Sequence, residues 1–255
     1  MKLENIRSRD REAISELLSS DRSWASYALG DLSDLHFGLS RYYLNGPNLV
    51  LVYEGLQPPA LFLFGGVGAL RFICSFLPAG DYNAAFTGEP ETIFPEGTNV
   101  VQLKRMLRMT LDLTGKTFDT GVAEELRSKD ADAIAGLMVH YPENAFHPDQ
   151  MAYPFAGIYL DDGLVACAGT HVANPDERVA CIGNVVVHPE YRRRGFAQQV
   201  VGKVLTLLAE QADLATLNVA VKNKEGIELY QRMGFSTHCR FNEADITLPE
   251  PKPEA

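Results

Sequence analysis

Long apolar runs are missing from this sequence: no window holds the roughly 18 uncharged apolar residues that a membrane-spanning helix requires. The start, Met1-Lys2-Leu3-Glu4, is not followed by an apolar segment, so no export signal is read and a cytoplasmic location is expected. Cysteine is scarce, and Cys74, Cys167, Cys181 and Cys239 form neither a Cys-x-x-Cys pair nor a Cys/His ligand pattern, so no structural metal is expected. Cys167 and Cys181 fall on neighbouring predicted strands. With the turn centred at Pro175-Asp176, however, Cys181 faces about Thr170, and four reduced thiols are expected rather than a bridge. Low-complexity sequence is confined to the tail from Pro249 to Ala255, expected to be flexible. Positive charge is also in deficit, with 23 Lys and Arg against 33 Asp and Glu, giving a formal charge of −10. That balance repels nucleic acid and anionic membranes on average and attracts cationic amines. The remainder, 46% hydrophobic and 22% charged over 255 residues, is ordinary for a globular chain of one large or two smaller domains.

Two domains are favoured by an internal repeat. Residues 6–18, Ile-Arg-Ser-Arg-Asp-Arg-Glu-Ala-Ile-Ser-Glu-Leu-Leu, align without gaps to residues 126–138, Leu-Arg-Ser-Lys-Asp-Ala-Asp-Ala-Ile-Ala-Gly-Leu-Met, with six of thirteen positions identical. In each copy a Ser or Asp precedes apolar residues at helical spacing, Ile14, Leu17 and Leu18 or Ile134, Leu137 and Met138. Capped amphipathic helices resemble one another, so similarity of local structure alone is the competing explanation. Beyond these helices both halves read strand, turn, strand: 49–53, Glu54-Gly55, then 60–64; and 155–160, Asp161-Asp162-Gly163, then 164–172. The boundary falls within 113–120, giving domains at 1–118 and 121–248 and a tail at 249–255. The first half carries Gly65-Gly66-Val67-Gly68 without a basic residue at the right offset, which reads as a close-packed bend rather than a phosphate site.

The second half is more specific. Residues 181–187, Cys-Ile-Gly-Asn-Val-Val-Val, read as a buried strand ended by His188-Pro189-Glu190. After Tyr191 comes Arg192-Arg193-Arg194-Gly195-Phe196-Ala197, then a helix whose Val200, Val201, Val204, Leu205 and Leu208 form an apolar face. Gly195 permits close backbone approach, first-turn amides and the helix dipole favour an anion, and three arginines add charge-assisted hydrogen bonds. The alternative is a solvated basic turn. Another buried strand, 214–221, leads to Asn223 and a short helix with Ile227, Tyr230 and Met233 on one face, terminated at Gly234.

These residues resemble the GNAT superfamily of acyl-CoA N-acyltransferases. Its pyrophosphate pattern, Arg/Gln-x-x-Gly-x-Gly/Ala, is met by Arg192, Gly195 and Ala197. Its later pattern, Asn-x-x-Ala/Gly-x-x-Leu-Tyr-x-x-x-Gly-Phe, is met by Asn223, Gly226, Leu229, Tyr230, Gly234 and Phe235. The resemblance covers about 121–248; more loosely, the first half is similar to the motif-less domain of tandem members, including glycine-N-acyltransferase-like and FR47-like proteins. It implies an α/β (α+β) fold of two tandem domains, each a mixed, mostly antiparallel sheet flanked by helices.

The resemblance further implies that acetyl-CoA or another acyl-CoA is cosubstrate, without a metal, and that a primary amine of a small molecule or peptide attacks the thioester directly in a ternary complex. Arg192, Arg193, Arg194, Gly195, Phe196 and Ala197 then hold the pyrophosphate. The strand before them is bulged, and backbone amides at Val185, Val186 and Val187 bind pantetheine and polarise the carbonyl; the valine side chains are sheet core at the same time. Tyr230 is the implied acid for the leaving thiolate, against the alternative of a core tyrosine with a hydrogen-bonded hydroxyl. Asn223 contacts coenzyme A, caps its helix, or does both. His171 and His188 are the histidines near the implied site, but neither is singled out as base. A non-catalytic acyl-CoA sensor on the same scaffold is the alternative function. Residues 24–32, rich in aromatic and apolar side chains, are either a partner groove or, preferably, core.

Overall fold

The structure, a computed structural model, describes residues 6–141, 146–160 and 163–251. The expected Asp161-Asp162 turn and the tail from Lys252 lie outside the described residues. By internal contacts the chain forms two compact units: Met1–Arg108 with Val219–Asn223 and Thr237–Ala255, and Met109–Asn218 with Lys224–Ser236.

In chain order the elements are β1 (Arg7–Ser8), α1 (Arg11–Leu18), α2 (Arg22–Gly30), α3 (Asp34–Phe37), β2 (Ser40–Asn45), β3 (Asn48–Tyr53), β4 (Ala60–Phe64), α4 (Val67–Cys74), β5 (Gly80–Phe86), α5 (Pro90–Ile93) and β6 (Asn99–Asp112). There follow β7 (Glu124–Leu126), α6 (Ala131–Met138), β8 (Phe155–Leu160), β9 (Gly163–Asn174), β10 (Val179–Val187), α7 (Phe196–Leu208), β11 (Leu214–Ala220), α8 (Lys224–Arg232) and β12 (Ser236–Leu248). Short 3-10 turns at Ser128–Asp130, Pro148–Ala152 and Pro189–Tyr191 connect some of them. None of the described helices is long and apolar enough to cross a membrane.

In the first unit β1, β2, β3 and β4 are antiparallel neighbours, β4 pairs with β5 in parallel, and β5 pairs with β12 antiparallel. A parallel pair needs a crossover, and α4 supplies it. Leu70, Ile73 and Cys74 of α4 pack in one core with Val50, Leu61 and Leu63. The second unit repeats the order: β7, β8, β9 and β10 antiparallel, then β11 parallel to β10 with α7 as crossover. Each unit is thus a mixed, mostly antiparallel sheet flanked by helices, and the repeat extends from sequence to strand order.

The repeated helices are α1 and α6. Ile14 and Leu18 are fully buried in the first, and Ile134, Leu137 and Met138 are buried in the second. Asp10 caps α1, accepting from the Ala13 amide at 3.1 Å. Asp130, the aligned residue, instead accepts from the Arg127 amide at 2.8 Å and from the Tyr159 hydroxyl at 3.0 Å, so its carboxylate organises the preceding turn. Residues 24–32 are core, not groove. The Trp24 indole is buried and donates to the Leu63 carbonyl at 3.1 Å, and Ala25, Ala28 and Leu29 are fully buried. The Trp24, Tyr27 and Phe241 rings also surround the buried Arg108 guanidinium at 4.8 to 5.4 Å, while Arg108 donates to the Ser26 hydroxyl at 3.1 Å.

All four cysteines are free thiols. Cys181 pairs with Val172 rather than Thr170, because the β9–β10 loop spans 175–178 and closes with Arg178 at φ 51°, moving the turn centre one residue along the chain. Cys167 lies opposite Val186, so no bridge geometry arises. The glycine cluster of the first unit is a bend filled by a side chain: Asn48 Oδ1 accepts from the Gly66 amide at 2.7 Å at the start of α4.

Phe155, fully buried, anchors the second core with Leu126, Ile134, Leu137 and Met138. Its ring covers the opposing Gly169, where a Cβ would enter the ring. Phe155→Ala is expected to lower the unfolding free energy by about 3–5 kcal/mol in a urea titration.

Candidate acyl-CoA site

The second unit's site begins with a break in regularity. The parallel register of β10 with β11 runs from Val179↔Leu214 to Ile182↔Leu217. On the other side β10 keeps its antiparallel partner β9, but its register shifts between Cys181 and Ile182, where His171 is the extra residue on β9, and again between Gly183 and Val186. Asn184 lies inside that shift at φ 52°, the left-handed region. Residues 183–187 therefore extend past the registered parallel pair, where backbone groups on the β11 side have no ladder to join. The side chain of Val186 packs in the core with Leu126 and Ile134, whereas Val185 and Val187 are half-buried.

The next turn is organised from within. His188 Nδ1 accepts from the Glu190 amide at 3.4 Å, and the His188 ring packs on His140 and Tyr191 at 4.4 and 5.6 Å. Arg192 Nε donates back to the Val187 carbonyl at 3.3 Å. Arg194 donates to the Glu190 carbonyl at 3.3 Å and stacks on the Tyr191 ring at 5.0 Å. Arg193 at φ 61° and Gly195 at φ 83° swing the chain into α7, whose N-terminus has no side-chain cap. Arg192, Arg193, Arg194 and Gly195 are exposed. Val200, Val201, Val204, Leu205 and Leu208 are fully buried, so the helix is fixed while its first turn stays open. Three cationic side chains and an uncapped helix N-terminus form an arrangement suited to a phosphorylated anion. Beside it lies a cavity of about 260 Å³ whose lining includes Lys116, Gln198 and Arg232.

Tyr230 is the one buried residue of α8, 8% exposed, with its ring against Phe235 at 5.9 Å. Gly234 at φ 95° terminates the turn, and the Phe235 amide donates to the Tyr230 carbonyl at 3.0 Å. Burial, with a smaller contribution from Tyr141, raises the Tyr230 phenol far above its ordinary range, so it is a neutral donor at physiological pH. Asn223 immediately precedes α8, is exposed, and belongs by contacts to the first unit. Among the described residues no cluster of three or more metal-binding side chains occurs.

Residues 122–235 match the family model described as acetyltransferase (GNAT) family. This segment is a GNAT domain. The match names the family and no subgroup within it. Among solved structures, a protein from Novosphingobium aromaticivorans described as a GNAT-family acetyltransferase superposes with TM-score 0.62 at 24% identity, covering 78% of this chain and 88% of its own. A Drosophila protein gives TM-score 0.65 at 17% identity over 92% and 90% of the two chains. A GCN5-related N-acetyltransferase from Sphaerobacter thermophilus gives TM-score 0.54 at 13% identity over 96% and 94%. At these identities the likeness is one of fold, and it extends over both units. No curated protein matches the sequence.

Sequence reasoning passed over Asn184, Gln150, Lys116 and Arg232. One signal for the first was present: an asparagine inside Ile-Gly-Asn-Val-Val-Val is poorly suited to a regular strand but tolerant of left-handed φ. His171, on β9, is held neutral by burial, its pKa lowered from 6.5 to about 4, partly offset by the neighbouring Asn184 side chain. The unfolded chain therefore takes up this proton first as pH falls below 6.5, and stability is lost until the folded imidazole titrates near 4. In urea unfolding across this window, His171→Phe is expected to show a shallower loss of stability than the wild type.

Proposed function

We propose that the chain is an acyl-CoA N-acyltransferase that carries an acetyl or other acyl group from coenzyme A to a primary amine of a small molecule or peptide. The observation that carries this reading is the open first turn of α7 beside three arginines, directly after a strand that parts from its parallel neighbour. In this reading Arg192, Arg193 and Arg194 with the backbone of Gly195, Phe196 and Ala197 hold the pyrophosphate, and Asn223 contributes to coenzyme A binding. Lys116 and Arg232 are cations suited to the phosphorylated nucleoside end. Pantetheine lies along residues 183–187, and amides of Val185, Val186 and Val187 bind it and draw charge onto the thioester oxygen.

The neutral amine attacks the polarised carbonyl carbon, the tetrahedral oxyanion is stabilised by those amides, and the C–S bond breaks as Tyr230 protonates the departing thiolate, while the proton shed by the acylated nitrogen passes through solvent and restores the phenol. A phenol kept neutral by burial fits that donor role. We assign the acyltransferase domain to residues 121–248 and read 1–118 as a degenerate copy without the cofactor motif. The formal charge of −10 favours a cationic amine over nucleic acid.

Arg194→Glu is expected to weaken coenzyme A binding about 10- to 100-fold in calorimetry, the loss of one charge-assisted contact plus repulsion. Unchanged affinity would remove the loop assignment. In a thiol-release assay with a broad amine panel, Tyr230→Phe is expected to lower kcat about 100-fold with little change in KM for acyl-CoA. Tight coenzyme A binding by the wild type together with silence across the panel would favour an acyl-CoA sensor instead.

A further inference from the structure

Asn184 adopts a conformation that needs a reason to persist. It is 4% exposed and sits at φ 52°, where asparagine is tolerated because its short amide usually bonds to nearby backbone. Here the amide reaches elsewhere in the chain. Nδ2 donates to Gln150 Oε1 at 2.8 Å, and the same oxygen accepts from the His147 amide at 3.2 Å, fixing Gln150 on the 3-10 turn Pro148–Ala152. The Asn184 carbonyl accepts from the Cys167 thiol at 3.5 Å on β9.

The other side of the bulge is held by His171. Its imidazole lies against Gly183, where any Cβ would overlap the ring. Of the two residues at the start of this shift, Gly183 is thus covered by one histidine and Asn184 is held by Gln150.

We propose that His171, Asn184 and Gln150 are positioning residues for acyl transfer, holding β10 so that the amides of residues 185–187 face the thioester carbonyl. The physical need is register. Between Gly183↔Gly169 and Val186↔Cys167 the bulged strand advances three residues against two on β9. A slip of one residue would turn the amides aimed at the parting β11 back toward β9 and send every side chain of the segment to the other face. A bulge residue bonded to Gln150, next to a glycine covered by the His171 ring, resists that slip. The inference rests on the acyltransferase reading, because only a bound thioester gives those amides a carbonyl to meet.

The test compares coenzyme A with acetyl-CoA in calorimetry, since only the latter carries the acyl oxygen. The wild type is expected to bind acetyl-CoA about fivefold tighter than coenzyme A, the worth of one hydrogen bond. Asn184→Gly, which keeps the left-handed φ accessible, Gln150→Ala, and His171→Ala, which removes the ring over Gly183, are each expected to bring that ratio near one with coenzyme A affinity within about threefold of wild type. Gln150→Glu, which retains the acceptor for Asn184, is expected to keep the wild-type ratio, and urea unfolding identifies variants that remain folded. A wild-type ratio of one, or folded variants that keep the wild-type ratio, would overturn the positioning role. A wild type that binds neither ligand would instead remove the acyl-CoA reading itself.

Discussion

The second unit is organised around one mismatch: β10 has an antiparallel neighbour on one side and a parallel one on the other, and past Ile182 only the antiparallel register continues, across an inserted residue at Asn184. The backbone released there runs on to Val187, whose carbonyl receives Arg192. Strand, arginine loop and the first turn of α7 are therefore consecutive parts of one path, with the buried valines and leucines of α7 fixing its far end. Polar backbone on the β11 side of this path has no ladder to join, and the proposed thioester contacts draw on those groups.

Much of this was legible from the residues. Helical spacing gave α1, α6, α7 and the inward face of α8, since burying one stripe of a helix leaves a strong periodic record. Gly195 and Gly234 mark left-handed positions because few other residues adopt them cheaply, and both have positive φ. What escaped was set by distant partners. Nothing local to Asp130 tells that its carboxylate serves Arg127 and Tyr159 while its counterpart Asp10 caps a helix. The Cys181 register depended on one loop residue with positive φ, and the hold on Asn184 comes from Gln150, 34 positions earlier. The assignment of Thr237–Ala255 to the first unit was likewise invisible, because an alternating strand does not name its partner.

The two units show how one topology diverges at a single corner. Both send a helix across between parallel strands, and both start that helix from a glycine. In the first, Asn48 places a neutral amide oxygen on the Gly66 N–H. In the second, no side chain intervenes before Phe196 and arginines surround the opening. A side-chain oxygen and a phosphate oxygen compete for the same kind of donor, so the filled corner is a local explanation for why only one copy carries the basic loop.

The pairing of β5 with β12 also governs how the polypeptide can acquire its structure while it is being made. Gly80 meets Leu248 and Phe86 meets Asn242, so the first unit's sheet gains this ladder only after residues 242–248 have left the ribosome. The amino-terminal part emerges early but must wait with a strand edge unpaired, and an N-terminal fragment ending at the midpoint would lack the strand that covers it. Synthesis therefore runs through the whole second copy of the repeat before the first can close its sheet, and the carboxyl-terminal strand sets the moment at which that closure becomes possible.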